Sequence, residues 1–208
     1  MPTDLFFELG DEKRQTIINA AVTEFADFGY ENSSTNRIVK HAGISKGSLF
    51  KYFPNKEDLY FYLTDQAVEE LISNMEKNIT ILSSELFQRI IDYSVLEFSW
   101  YLQHPEKSKL IINAFTKAET EIFTKTMMRY GSREQDIYYR FIQDIDTKHL
   151  RYSKHKTINI LKWFLKGFND EFLSKSQLNE DIDFSIIKDE YVASLTEYME
   201  ILKTGLVK

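Results

Sequence analysis

Apolar residues recur every three or four positions along almost the whole chain, which is the spacing of amphipathic helices. The first such pattern predicts a helix over residues 11–28, with Gly29 as its stop. Tyr30 follows that glycine and is placed to pack back onto Phe25. Residues 1–10 precede the pattern, and we expect them to form a mobile arm.

Two short helices joined by a tight turn are predicted over residues 34–53. Ser33 or Ser34 can accept a hydrogen bond from the free N–H groups at the start of the first helix. Gly43 supplies the small residue that the turn needs. This pattern is that of a helix-turn-helix, and it indicates DNA binding.

The second helix of this motif is the candidate reader of the major groove. Ser45 can cap it, and Leu49 and Phe53 are four residues apart and face inward. Pro54 ends it, and the polar residues after Pro54 predict the cap of another helix. The side chains left to point outward are Lys46, Gly47, Ser48, Phe50 and Tyr52.

The rest of the chain is predicted to be long helices, because only 3 Pro and 7 Gly occur in 208 residues. A helix that begins near residue 56 should leave the small N-terminal domain and link it to the larger C-terminal region. The last two helices are apolar over a wide arc, so each needs two packing partners, in the same chain or in a second copy. The later helices are predicted over residues 85–102, 105–115, 116–145, 154–173 and 184–203.

Composition excludes several classes of protein. Cysteine is absent, which excludes disulfides and thiolate metal sites. No run of about 18 apolar residues and no signal-peptide pattern occurs, so we expect a cytoplasmic protein with no membrane association. The 4 histidines form no metal motif, and neither a Gly-rich phosphate loop nor a nucleophile elbow is present. We therefore expect no catalytic site, no metal and no cofactor.

The net charge of −6 is unusual for a DNA-binding protein, but the charges are unevenly distributed. Residues 34–58 contain five basic and two acidic side chains, a local charge of +3. Because salt screens charges over about 10 Å, a local basic face can bind phosphate while a distant acidic surface does little to repel it. The overall acidity therefore does not exclude DNA binding.

Residues 11–71 resemble the DNA-binding domain of the tetracycline-repressor (TetR) family of bacterial transcription regulators. The resemblance rests on the sequences FADFGY at 25–30, IVKHAGIS at 38–45, KGSLFKYF at 46–53 and NKEDL at 55–59. It implies an all-α protein, with a three-helix helix-turn-helix domain followed by a larger helical ligand-binding and dimerisation domain over residues 72–208. It also implies a homodimer that binds a palindromic DNA operator, with repression favoured over activation. The alternative is an architectural helix-turn-helix protein that needs no ligand.

The resemblance also implies DNA contacts within the motif. Gly47 would allow a close approach to the DNA, and the alternative is that it loosely caps the helix. Phe50 stands where the family usually has tyrosine, so it could contact a thymine methyl group but could not hydrogen-bond. Tyr52 and Lys56 are similar in position to the family's phosphate contacts. The expected DNA-binding residues are Thr35, Asn36, Lys46, Gly47, Ser48, Phe50, Tyr52 and Lys56.

Aromatic residues make up 14% of the chain and are concentrated in the region of the larger domain. Some could line a cavity for an unknown small-molecule effector with substantial apolar surface, although large aromatic residues also fill any helical core. The residues expected at the effector site are Phe98, Trp100, Tyr101, Phe115, Met127 and Trp163. The residues expected at the dimer interface are Ile158, Leu161, Leu165, Phe168, Tyr191, Leu195 and Tyr198.

Overall fold

The computed structural model describes residues 1–116, 120–142, 145–176 and 184–207. This part of the chain is helical and contains no strand; its one isolated bridge joins Leu150 to Val207. The all-α prediction is confirmed. The helices are α1 (Asp4–Phe7), α2 (Asp11–Asn32), α3 (Thr35–His41), α4 (Lys46–Tyr52), α5 (Lys56–Asn78), α6 (Leu86–Gln103), α7 (Pro105–Thr116), α8 (Glu121–Ile142), α9 (Lys154–Ser176) and α10 (Phe184–Leu206), with a 3-10 turn at Ile79–Ile81.

The first of two compact units combines Met1–Ile72 with His104–Arg129. Within it α2 packs against α7, and Asn113 Nδ2 donates to the Ala26 carbonyl over 2.8 Å. Burial of large apolar side chains is the main favourable contribution to its stability. Those most fully buried are Phe6, Ile17, Phe25, Ile38, Leu49, Phe53, Leu59, Tyr60, Leu63 and Leu110.

The N-terminal residues are part of this unit, so the prediction of a mobile arm is wrong. Phe6 is completely buried, and its ring centroid lies 4.7 Å from that of Phe53 and 5.6 Å from that of Tyr62. The Thr3 N–H donates to the carbonyl of Tyr52 over 2.8 Å. These long-range contacts offset the entropy that ordering the segment costs, and they attach it to the end of α4.

The predicted stop at Gly29 is confirmed as a break inside α2. Its φ of 66° and ψ of 179° depart from helical geometry, and the left-handed φ suits a residue without Cβ. The ring of Tyr30 stacks on that of Phe25, with the centroids 6.4 Å apart. The chain then resumes helical geometry up to Asn32.

The second compact unit combines Ser73–Gln103 with Tyr130–Lys208. In it α10 packs against both α6 and α9, so both packing partners of α10 lie in the same chain. Four residues predicted at the dimer interface are instead buried within this unit, and they cannot also face a second copy. These four are Leu161, Leu165, Tyr191 and Leu195.

Most predicted helix boundaries hold to within a few residues, but one predicted helix is divided differently. The pattern over residues 116–145 predicted one segment, whereas Thr116 ends α7 and α8 begins at Glu121. Gly131 lies inside α8 and does not break it. The proposed domain division at residues 71 and 72 stays a prediction, and the first compact unit also includes residues 104–129.

Candidate functional site

The turn of the helix-turn-helix depends on Gly43. This residue follows α3 with a φ of 65°, a conformation that side chains with Cβ rarely adopt. The N–H of Ile44 donates to the carbonyl of Val39 over 3.0 Å, which closes the end of α3. The predicted role of Gly43 is therefore confirmed.

The second helix of the motif, α4, is held as the sequence predicts. Ser45 Oγ accepts from the N–H of Ser48 over 3.0 Å, which caps the helix. Leu49 and Phe53 are both 1% exposed, so this face of α4 is anchored in the core. The opposite face, which includes Lys46 and Gly47, is open to solvent.

The start of α3 is capped by a residue that sequence reasoning missed. Neither Ser33 nor Ser34 caps it with its side chain, so that prediction is wrong. Instead, the buried carboxylate of Glu24 accepts from the Ser34 N–H over 2.7 Å and from Arg37 Nε over 2.9 Å. The sequence did contain a signal for this cap. Glu24 is a charged residue between the buried Val22 and Phe25, and a charged side chain is rarely buried without hydrogen-bond partners.

Arg37 is turned inward by this arrangement. Its guanidinium also donates to the carbonyl of Asn32 over 2.9 Å and lies 4.2 Å from the ring centroid of Phe28. The hydrogen bond to Glu24 raises the pKa of Arg37 above its ordinary value. The positive charge of Arg37 is therefore matched by a carboxylate, and Arg37 helps to fix α3 against α2.

Lys56 was predicted to contact DNA phosphate, but its side chain forms contacts within the protein. Its Nζ donates to the carbonyls of Tyr30 and Ser33 over 2.6 and 3.1 Å and lies 4.4 Å from the Tyr30 ring centroid. Burial lowers the pKa of Lys56, and the charges of Glu31 and Glu24 oppose that shift. The ammonium therefore ties the start of α5 to the end of α2.

The next helix begins with the polar cap that its sequence predicts. The N–H of Asp58 donates to Asn55 Oδ1 over 2.7 Å, and Asn55 Nδ2 donates back to Asp58 Oδ2 over 2.9 Å. Two reciprocal bonds of this kind satisfy polar groups at the start of a helix. They fix the chain between α4 and α5.

Three basic side chains remain available on the helix-turn-helix. Lys40, Lys46 and Lys51 are exposed, and none forms an ion pair with another residue in the described part of the chain. The residues predicted to contact DNA lie in α3, in α4 and in the first turn of α5. They differ in their exposure to solvent. Asn36, Lys46, Gly47 and Phe50 are exposed, whereas Thr35, Ser48, Tyr52 and Lys56 are half-buried.

A cavity lies within the second unit. It contains about 420 Å³ of space between atoms, including solvent at its mouth. Glu97 lines it, and Glu97 Oε1 accepts from the hydroxyl of Tyr101 over 2.8 Å. Burial raises the pKa of Glu97, and the hydrogen bond from Tyr101 opposes that shift. The lining residues are Ile90, Tyr93, Ser94, Glu97, Phe141, Leu165, Asn169 and Tyr191.

The residues predicted at an effector site do not come together around this cavity. Phe98 and Trp100 are buried, and Tyr101 reaches the lining only through its bond to Glu97. Phe115 and Met127 belong to the first unit, and Trp163 is 71% exposed. Sequence periodicity marked these residues as apolar but could not indicate which of them face a cavity.

The last two helices expose large apolar side chains of their own. Besides Trp163 on α9, Tyr198 and Ile201 on α10 are 47% and 58% exposed. The ring of Tyr198 lies 5.6 Å from that of Phe164, so Tyr198 packs against α9. Of the predicted dimer residues, Tyr198 is thus exposed, and Ile158 and Phe168 are half-buried.

Metal-binding clusters and membrane-spanning helices are both absent from the described residues. No group of three or more histidine, aspartate or glutamate side chains there is arranged to hold a metal ion. None of the helices in those ranges combines the length and the apolarity that a membrane span requires.

Comparison with known proteins identifies the N-terminal region. Residues 17–63 match the family described as bacterial regulatory proteins, tetR family. Over 67 residues the chain is 39% identical to the fatty acid metabolism regulator protein of Bacillus subtilis. That match covers 32% of this chain and 34% of the relative, so it spans about a third of the relative's length.

Solved structures share the fold over most of the chain. A TetR family transcriptional regulator from Chloroflexus aurantiacus has a TM-score of 0.67 and 22% identity, covering 100% of this chain and 99% of its own. FadR from Bacillus subtilis, solved in complex with stearoyl-CoA, has a TM-score of 0.65 and 19% identity, covering 88% and 97%. With the helix-turn-helix geometry, the family match assigns residues 17–63 to the DNA-binding region of the tetR family of bacterial regulatory proteins, and the chain shares the fold of solved TetR family regulators.

Proposed function

We propose that this DNA-binding regulator is a cytoplasmic repressor that binds a palindromic operator as a homodimer and is released by a small-molecule effector. The observation that carries the proposal is the exposed face of α4, which is anchored by Leu49 and Phe53 and bears Lys46 and Gly47. A rigid helix with one buried face and one basic, solvent-facing side has the form that major-groove readers use.

Gly47 supports close contact between α4 and DNA. A Cβ atom built on Gly47 would meet only Ser45 Oγ, at 3.8 Å, so nothing inside the protein requires glycine there. Ser45 already caps the helix, which leaves loose capping by Gly47 without a purpose. Glycine lowers helix stability, and a close approach of DNA at this position would account for its presence.

Phosphate binding is assigned to the three available lysines rather than to Arg37 or Lys56. Lys40, Lys46 and Lys51 can each release a counterion from DNA, and each released ion makes binding more sensitive to salt. Asn36, Thr35 and Ser48 are short polar side chains suited to flanking phosphates or base edges. Phe50, 38% exposed, can meet a thymine methyl group.

Dimerisation is assigned to the outward faces of α9 and α10. Trp163, Tyr198 and Ile201 are exposed there, and an exposed apolar patch of this kind is typical of an interaction surface. A homodimer would present two copies of α4 to an operator whose half-sites are about 34 Å apart. The two-fold symmetry of the protein would then match that of the DNA.

The effector is assigned to the cavity of the second unit. Ile90, Phe141 and Leu165 give this cavity apolar walls, and small-molecule sites are lined mainly by such residues with a few polar groups among them. The solved FadR structure holds stearoyl-CoA, so a protein of this fold can bind a ligand with a long apolar part. The likeness at 19% identity concerns the fold alone.

Helix α5 is the proposed link between effector and DNA. It begins at Lys56, directly after the motif, and its residues up to Ile72 belong to the first unit, while the remainder to Asn78 belongs to the second. A continuous helix shared by both units is one element that each ligand could bias. A coupling of about 1–3 kcal/mol would change operator affinity roughly 5- to 150-fold.

The experiment for the whole proposal is DNase protection on genomic fragments, followed by titration of candidate effectors. We expect protection of a short two-fold site and its loss when an effector is added. Calorimetric titration of that effector should then give weaker binding when operator DNA is present, by the same factor, because linkage is reciprocal. Protection without sequence preference, unaffected by any cavity-binding molecule, would favour the architectural alternative.

A pair of lysine substitutions tests the assignment of phosphate contacts. Lys46→Ala should weaken binding to all DNA sequences and reduce the salt slope by about one unit per protomer. Lys56→Ala should lower the melting temperature, because it removes two hydrogen bonds to backbone carbonyls, and should leave the salt slope unchanged. The measurements are operator affinity over a range of salt concentrations and thermal unfolding. A reduced slope in Lys56→Ala alone would restore Lys56 as the phosphate contact.

A further inference from the structure

Among the described residues that line the cavity of the second unit, one carboxylate lies close to several aromatic rings. Glu97 lies on its wall with Tyr93, Phe141 and Tyr191, and the ring centroids of Tyr93 and Phe141 are 4.5 Å apart. None of the described residues that line the cavity is basic. The described lining is therefore negatively charged when Glu97 is ionised, and otherwise neutral.

The carboxylate of Glu97 is only partly satisfied by the protein. Its single hydrogen bond among the described residues comes from the hydroxyl of Tyr101, and no ion pair there involves it. The other polar groups on the wall are engaged mainly with the protein itself. Ser94 Oγ donates to the carbonyl of Ile90 over 3.0 Å, and Asn169 Oδ1 accepts from the hydroxyl of Tyr191 over 2.6 Å.

We propose that this cavity selects organic cations: the effector carries an ammonium or similar group that pairs with Glu97, and an apolar body that lies against Ile90, Leu165 and the aromatic rings. The faces of aromatic rings attract cations within about 6 Å of the centroid, most strongly where water is excluded. A carboxylate with a free oxygen adds a charge-assisted hydrogen bond. The ionised carboxylate of Glu97 would repel anionic ligands.

Burial supports this choice of ligand. An ionised carboxylate without a cation is costly inside a protein, and burial raises the pKa of Glu97 for that reason. A bound cation would remove that cost. This inference rests on the proposed effector site, and it narrows the class of effector from any partly apolar molecule to a cationic one.

The test uses probes that share an octyl chain and differ in charge: octylammonium, octanol and octanoate, titrated calorimetrically at neutral pH. We expect octylammonium to bind at least about tenfold more tightly than octanol, and octanoate to bind least. This factor corresponds to one charge-assisted hydrogen bond of about 1.5 kcal/mol. Octanoate or octanoyl-CoA binding more tightly than octylammonium would overturn the proposal.

Two variants make the test specific for the carboxylate. Glu97→Gln keeps an acceptor for the Tyr101 hydroxyl and removes the charge, so octylammonium should lose its advantage over octanol while the melting temperature is maintained. Glu200→Gln, at an exposed position on α10, is the matched control and should keep the advantage. An advantage that persists in Glu97→Gln would contradict the role of this residue.

The experiments distinguish a failure of the cationic ligand class from a failure of the proposed function. If octylammonium binds through Glu97 but operator affinity does not change, the ligand class stands and effector control of DNA binding fails. If octanoate or octanoyl-CoA binds best and releases the operator, effector control stands and the cationic ligand class is rejected.

Discussion

Replacing Gly47 with leucine should leave the protein folded and abolish specific operator binding. The helix position is open, with only Ser45 Oγ within 4 Å of a built Cβ, so the new side chain has room in the free protein. Leucine is also a better helix former than glycine, which should raise stability by up to about 1 kcal/mol. On the operator, the same side chain would occupy the space between α4 and the base edges.

The expected loss of affinity is large because a dimer contains Gly47 twice. Displacing one good base contact costs about 1–3 kcal/mol, so two half-sites lose about 2–6 kcal/mol, or roughly 30-fold to more than 10⁴-fold. Fluorescence anisotropy with operator DNA measures this loss, and thermal unfolding measures stability. Gly131→Leu, at an exposed position inside α8 with no atom within 4 Å of a built Cβ, is the matched control.

The two measurements together distinguish the roles of Gly47. A folded variant with normal operator affinity would show that α4 does not approach DNA closely at this residue. A variant with a lowered melting temperature would show that glycine is needed for the fold, in contradiction to the open surroundings of its Cα. Only preserved stability with lost affinity agrees with the proposed interface.

The helix-turn-helix could be predicted from the sequence because its determinants are local. The cap at Ser45, the inward pair Leu49 and Phe53, and the left-handed turn at Gly43 each depend on residues within a few positions of one another. Such features are encoded in spacing and in the conformational preferences of single residues. The helices of the second unit could be located for the same reason.

The missed features depend on contacts between distant parts of the chain. Phe6 is ordered by Phe53 and Tyr62, which lie more than forty positions away, and no local pattern indicates that pocket. Glu24 caps a helix that begins eleven residues later. A carboxylate in an otherwise apolar stripe was a usable signal for Glu24, as it was for Glu97 among the apolar positions of α6.

Four of the residues predicted at the dimer interface are buried for a different reason. A helix that packs on two sides has the same apolar pattern whether its second partner is in the same chain or in another copy. Leu165 and Leu195 therefore had the periodicity of an interface but are buried by their own chain. Periodicity does not give the exposure of individual side chains. The structure shows that Trp163, Tyr198 and Ile201 are exposed, and they are therefore the better candidates for an interface.

Placing a charge on this exposed face should convert the proposed homodimer to a monomer. Tyr198 and Ile201 are three residues apart on α10 and therefore share one face. A stable dimer through α9 and α10 would bury at least about 1,200 Å² in total, with these side chains near its centre. In Ile201→Glu, two carboxylates related by the two-fold axis would lose water on association without a partner, which is costly.

Loss of the dimer should also weaken operator binding strongly. In a dimer, binding of one half-site holds the second copy of α4 close to the other, and this gain in avidity is about 10²- to 10⁴-fold. Sedimentation velocity at micromolar concentration measures the oligomeric state, and anisotropy with operator DNA measures the affinity. Ile81→Glu, at a position that is 74% exposed in the 3-10 turn, is the matched control and should remain dimeric with full affinity.

Three results would separate the possible interfaces. A monomeric unmodified chain at micromolar concentration would rule out the homodimer itself. If the unmodified chain and Ile201→Glu are both dimeric, the interface lies away from the exposed face of α10, and the assignment of Tyr198 fails with it. If Ile201→Glu is monomeric, stays folded and loses operator affinity while Ile81→Glu does neither, the outward face of α10 joins the two copies that read the palindrome.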